Sequence, residues 1–311
     1  MTDIDLNEEL AFLDRLDEEM GDVEAPPAEP QPQPDQPKKK KKKGSSIPYY
    51  AAMALFVGVF IGCAIYLVNY MDGAIQATQD YDKLSDMVNG MRGDHDDPDS
   101  TVPTGGSISG GGEAGTADTD RILEKYRDAY AINNDLIGWI NVPGTVIDYP
   151  VVQSKRIKDY YLNINFYGKW SDAGCIYARE ECDWETPCDN VVLYGHHMKY
   201  GGMFAALDGY KRKSFWQEHQ YFTFDTIYEE HTYQVIAAFK TSANLDQGFA
   251  YHTFNYAESE EEFNKFISTV RSLQMYHTGV TAEYGDMLLT LSTCEYTLDN
   301  GRFVVIAKRV S

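Results

Sequence analysis

The stretch Met287-Leu288-Leu289-Thr290-Leu291-Ser292-Thr293-Cys294 decides how the C-terminal half of this chain folds. Its apolar part, Met287 to Leu291, has the length of a buried strand and ends on a thiol that follows polar Ser292 and Thr293. Eight residues after Cys294, Arg302 opens a second β-rich run that reaches Val310. Upstream, Asn190-Val191-Val192-Leu193-Tyr194-Gly195 is a further β-like run and delivers His196 at its end. The commonest fate of a lone thiol is a buried core position. A thiol at a strand terminus, with an imidazole and a guanidinium at comparable ends, instead has the partners that thiolate chemistry needs. The chain order His, Cys, Arg excludes a papain-like arrangement, in which the cysteine comes first.

Outward from these runs, the pattern from Leu136 onward is one of short β-like segments separated by turns. They are Ile137–Val142, Val146–Val152, Gly174–Tyr177, Asn190–Gly195, Tyr221–Phe224, Thr232–Phe239, Met287–Ser292 and Phe303–Lys308. Eight short strands in this span predict a mainly β fold, a closed barrel rather than an open sheet. Before it, residues 120–133 read as a helix, with Ile122, Tyr126 and Tyr130 spaced by four. Within the long connection before the cysteine strand, Ser259 to Leu273 reads as another. Ser259 caps it, Glu260 to Glu262 suit its positive end, and Phe263, Phe266, Ile267 and Val270 form an apolar stripe. The same glutamates lack the alternating oxygen-ligand spacing of a calcium loop.

Further out the chain changes character. Tyr49 to Val68 carries no charge and no proline over twenty residues, enough at 1.5 Å per residue to span about 30 Å of hydrocarbon. Lys38 to Lys43 immediately before it predict that the N-terminus stays in the cytoplasm and that residues beyond the span lie outside. The small-residue pattern of a cleavage site is poor, so the span reads as an uncleaved signal anchor, with membrane lipid as its partner. Gly58 and Gly62 form a G-x-x-x-G pair able to seat a helix dimer. The formal charge of −21 argues against nucleic acid as a partner; residues 1–37 hold twelve acids against one arginine. In that tail Leu6, Leu10, Leu13 and Leu16 fall at helical spacing, followed by a Pro/Gln-rich stretch over residues 25–37. Asp72 to Met91 reads as a polar helical stalk, and residues 94–118, rich in Gly, Ser, Thr and Asp, as a flexible tether. The expected organisation is a cytoplasmic tail over 1–48, the span over 49–68, stalk and tether over 69–119, and a catalytic domain over 120–311.

The T-L-x-T-C strand end at Thr290–Cys294, the Y-G-H at Tyr194–His196 and the arginine on the following strand together resemble a sortase. The resemblance covers residues 120–311. Gly138-Trp139-Ile140, the segment Gly195-His196-His197-Met198-Lys199 followed by Met203-Phe204, and the two helices resemble the class B subgroup. It implies an eight-stranded sortase-type barrel and a membrane-anchored cysteine transpeptidase of a Gram-positive surface, without cofactor or metal. Cys294 would be the nucleophile, His196 the acid and base, and Arg302 the oxyanion partner, with Ser292 and Thr293 as substrate contacts. The substrates would be secreted proteins with a C-terminal sorting signal of the N/S/P-P-x-T-G/N kind, and the acceptor an amine of a peptidoglycan precursor. A pilin-polymerising enzyme, or a non-catalytic module that binds sorting peptides, are the other readings. His197 stands where the family often has asparagine, and Tyr296 and Asp299 leave an acidic fourth catalytic residue open. Cys175, Cys182 and Cys188 match no zinc spacing. Outside the membrane Cys182 and Cys188 could close a small disulfide loop or stay free.

Overall fold

All eight expected strands form: β1 Leu136–Asn141, β2 Asp148–Val152, β3 Ile176–Ala178, β4 Asn190–Tyr194, β5 Tyr221–Thr226, β6 Thr232–Ser242, β7 Leu288–Glu295 and β8 Gly301–Arg309. They close into a barrel in the order β1-β2-β3-β4-β7-β8-β6-β5. The computed structural model describes residues 47–90, 119–182, 188–244 and 246–311. The leucine-spaced tail, the Pro/Gln-rich stretch, the lysine run and the tether lie outside the described residues.

Closure leaves no strand edge open, and it puts one face of every strand inside. The pairs β2–β3 and β4–β7 are parallel and the rest antiparallel. A parallel pair needs a long crossover, and the chain between β4 and β7 supplies it with β5, β6 and two helices. Strand β7 sits between β4 and β8 and is buried on both faces, which explains its near-continuous apolar run where alternation would otherwise be expected. Both glycines that flank the site are sterically required. A Cβ on Gly195 would lie 2.4 Å from Ile176 and 2.8 Å from Phe204, and one on Gly301 would lie 2.3 Å from the Glu295 carbonyl oxygen.

Among the described residues the α-helices are α1 Ile47–Gly90, α2 Glu124–Ile132, α3 Lys213–Glu218 and α4 Glu260–Leu273. Helix α4 starts as its sequence dictates, with Glu262 N–H donating to Ser259 Oγ at 3.2 Å. Phe263, Phe266, Ile267 and Val270 are buried, the helix packs on β6, and Phe254 stacks on Phe266 at 4.0 Å. Burial of such side chains stabilises by roughly 1.5–3 kcal/mol each. Helix α2 is anchored to β5 by Tyr126 Oη and Lys125 Nζ, both donating to Asp225 Oδ2 at 2.7 Å.

Helix α1 is one continuous element of 44 residues. It is long and apolar enough to cross a membrane, with a mean hydropathy of 2.5 over its most apolar window. Beyond Gly58 the chain forms a single packed unit through to Ser311. Within it the stretch expected to be a polar stalk carries a buried stripe, Tyr81, Leu84 and Val88, that joins the barrel core. Tyr81 Oη donates to the Gly174 carbonyl at 2.5 Å and its ring meets Tyr149 edge to face at 5.3 Å. Ser85 Oγ and Asn89 Nδ2 donate to Asp148 Oδ2 at 2.5 and 3.1 Å, while Trp139 Nε1 holds the other oxygen of Asp148 at 2.6 Å. A helix that buries tyrosine and leucine against the barrel is part of it rather than a spacer.

Candidate active site

Three neighbouring strands bring the candidate residues together. In the β7–β8 pair Cys294 is the register partner of Arg302. Residues directly opposite in an antiparallel pair have Cα atoms about 4.5–5.5 Å apart and project to one face. On the other side of β7, Tyr194 of β4 is level with Ser292, and Gly195 N–H continues the ladder to the Ser292 carbonyl at 3.2 Å. Counted on from this pair, two more residues along the parallel chains lead to His196 and to Cys294. Thr293 Oγ1 fastens the junction by donating to the Gly195 carbonyl at 2.8 Å. Cys294, His196 and Arg302 are all partly exposed, at one end of the barrel.

The imidazole of His196 is fixed by Nε2, 2.8 Å from the Leu162 carbonyl oxygen. A carbonyl only accepts, so Nε2 carries the proton and the lone pair of the neutral ring lies on Nδ1. Phe204 N–H donates to the His196 carbonyl at 3.0 Å and holds the backbone. His197 takes different partners. Its Nε2 lies 3.1 Å from Asp208 Oδ2, and Tyr296 meets its ring edge to face at 5.5 Å. Adjacent residues past a strand end diverge in this way, and the two imidazoles take separate partners. The Arg302 guanidinium donates through Nη1 to the Gly301 carbonyl at 2.9 Å.

Ser292 and Thr293 are buried, and both hydroxyls are engaged within the protein: Ser292 Oγ lies 2.6 Å from Tyr251 Oη, and Thr293 bonds Gly195 as above. Tyr251, which the sequence did not single out, comes from the crossover. Burial raises its phenol above the usual range, opposed by the hydrogen bond to Ser292 and by the Arg302 charge. Next to it His252 is held below the ordinary imidazole value, first by burial and then by the charges of Arg179 and Arg302. The charge of Arg302 thus reaches both Tyr251 and His252 of the crossover.

Directly after the cysteine, Glu295 is buried, its side chain 1 % exposed. Lys240 Nζ donates to its Oε1 at 2.7 Å, Thr297 N–H and Oγ1 donate to its Oε2 at 2.8 and 2.7 Å, and Lys211 Nζ lies 3.6 Å away. Desolvation pushes its carboxyl up, but the Lys240 and Thr297 bonds outweigh it and hold the group down at about 2. Lys211 also reaches Asp208 at 2.8 Å, so a chain of polar contacts runs from His197 through Asp208 and Lys211 to Glu295. That acid is a strut behind the site and not the fourth member the sequence left open at Tyr296 or Asp299. Cys175 and Cys182 are buried free thiols, Cys188 is buried as well, and no group of metal-ligating side chains is found among the described residues.

The sortase domain model matches residues 140–310. Sortase B of Listeria monocytogenes serovar 1/2a is 31 % identical over 196 residues, which covers 61 % of this chain and 76 % of that protein. The structure of a Staphylococcus aureus sortase B–substrate complex superposes with a TM-score of 0.62 at 25 % identity, over 76 % of this chain and 98 % of that one. Sortase B from Bacillus anthracis in complex with AAEK1 gives 0.54 at 32 % identity, over 61 % and 86 %. Barrel topology, the residues at the ends of β4, β7 and β8, and these likenesses agree: the chain belongs to the sortase family of cysteine transpeptidases, in its class B-like branch.

Proposed function

We propose that Tyr49 to Val68 anchor this sortase in the membrane, N-terminus inside, and that Cys294, His196 and Arg302 carry the acyl transfer outside. The observation that supports it most is the register: Arg302 lies opposite Cys294, and the strand on the other flank of β7 ends one residue before Gly195-His196. The substrate is a secreted protein with a C-terminal sorting signal of the N/S/P-P-x-T-G/N kind. The Cys294 thiolate attacks the carbonyl carbon of the threonine, and Arg302 stabilises the oxyanion of the tetrahedral intermediate. The C–N bond then breaks, the leaving amine takes a proton from His196, and a thioester remains on Cys294. An amine of a peptidoglycan precursor gives up its proton to His196 as it attacks the thioester, which releases the thiolate and forms the new amide. Ser292 and Thr293, held by Tyr251 and Gly195, shape the groove floor under the peptide. Their contribution is placement, since both hydroxyls are already bonded.

The test is a fluorogenic sorting peptide with and without an added amine. Wild type should form a mass adduct on Cys294 that the amine discharges as a new amide. Cys294→Ala should show neither cleavage nor transfer while staying folded. Turnover by Cys294→Ala would remove this residue from the mechanism. Peptide binding without an adduct in wild type would favour the non-catalytic module, and discharge by a pilin lysine alone would favour the polymerase.

A further inference from the structure

The buried stripe of α1 does not begin at Tyr81. Tyr70, Ala74 and Ala77 are already half-covered, at the same helical spacing that leads on to Tyr81, Leu84 and Val88. Helix–barrel contact therefore starts two residues after Val68, the last residue of the apolar span. A cavity of about 220 Å³ lies in this zone. Its helix side runs from Asn69 to Asp80, and its barrel side is formed by Asn165, Lys169 to Ala173, Met198 and Tyr200. Trp170 is 70 % and Tyr200 37 % exposed, both large aromatic side chains on the barrel wall of that cavity.

Heights follow from the helix rise. At 1.5 Å per residue the helix side of the cavity rises from roughly 2 to 18 Å above Val68, and its lower end, Asn69 to Gly73 with Tyr200 beside Tyr70, lies at roughly 2–8 Å. Half the difference between the full bilayer and its hydrocarbon core is about 5–8 Å, so this level is the headgroup layer. Aromatic rings with one polar edge are the side chains that partition there. Lys169, Asp80 and Asp172 line the same cavity, a mixed set of charges that offers no net attraction to anionic lipid. Met198, also on the wall, is two residues after His196, so this face is continuous with the loop that carries the candidate base.

We infer that the barrel face around Trp170 and Tyr200 seats in the headgroup layer of the outer leaflet, fixing the height and tilt of the barrel. The inference rests on the anchoring proposed above. The seat needs no anionic lipid, because its driving contacts are aromatic.

The test uses the full chain in nanodiscs of phosphatidylcholine brominated close to the headgroup, with tryptophan fluorescence as readout. The chain holds four tryptophans, and the difference between wild type and Trp170→Phe subtracts the other three and isolates the exposed indole. Brominated lipid should quench about half or more of that difference signal, and iodide in the water much less. The result should be unchanged when phosphatidylglycerol replaces part of the lipid. A nanodisc-inserted chain whose Trp170 signal is open to iodide would overturn the seat while leaving the anchor intact. A signal shielded from both quenchers would assign the face to a protein contact and also overturn it. A chain that alkaline carbonate strips from membranes would remove the anchor, and the seat with it.

Discussion

Replacing Glu295 by Gln probes the strut beside Cys294 without changing its shape. The carboxyl is held at about 2 against an ordinary 4.5. At 1.36 kcal/mol per pH unit, that difference is worth at most roughly 3 kcal/mol. Glu295 itself is dry, but Lys240 and Lys211 are 28 % and 27 % exposed, and water at their ends screens the pairs. The expected loss is therefore about 1–2 kcal/mol at pH 7. The sign follows from a folded-state value below the unfolded one. Stability from Glu295 is complete above about pH 4.5 and drains away as the pH falls through 2. Urea unfolding of wild type and Glu295→Gln in the same detergent, at pH 7, 5, 3 and 2, should show a gap in midpoint that narrows only at the acid end. Other carboxylates titrate in both proteins and cancel in the difference. Equal midpoints at pH 7, or a gap that stays constant down to pH 2, would refute the assignment of Glu295 as a charged strut.

His196→Ala should abolish peptide cleavage, whereas His197→Ala should cost far less, because His197 is turned to Asp208 and Tyr296; equal losses in a fluorogenic peptide assay would reverse the assignment. Arg302→Lys should keep the charge but lose roughly 10²–10³ in kcat/KM, since an ammonium cannot place paired donors on an oxyanion. Near-wild-type turnover by that variant would reduce Arg302 to a diffuse charge. Tyr81→Phe should lower the unfolding midpoint by an amount equivalent to about 1 kcal/mol, through the lost bond to the Gly174 carbonyl; an unchanged midpoint would mean that α1 adheres by apolar contact alone.

The barrel was legible because each strand carries its own local signal, an apolar or alternating run bounded by turn residues. The succession of β7 and β8, with Cys294 on one and Arg302 on the next, was legible, but their register is set by the loop over residues 296–300, closed by Asn300 at φ 46°. Helix α4 announced itself through Ser259 and its glutamates. What stayed hidden depends on pairing between distant segments. Nothing in Lys240 or Lys211 marks a partner more than fifty residues away, and only the β6–β8 register brings Lys240 beside Glu295. Tyr251 lies in a crossover with no periodic pattern. The α1 stripe was masked by its neighbours: Asp80, Asp82, Lys83, Ser85 and Asp86 dilute Tyr81, Leu84 and Val88, and the stretch reads as polar until the covered face is seen.

Gly90 and Thr119 both belong to the packed unit that begins within the span. Within that unit α1 is held to the barrel by side-chain contacts as well as by chain order. In the proposed reaction, a client protein pulled outward while bonded to Cys294 would load β7, then the closed barrel, and then, in shear, the Tyr81, Ser85 and Asn89 contacts of α1.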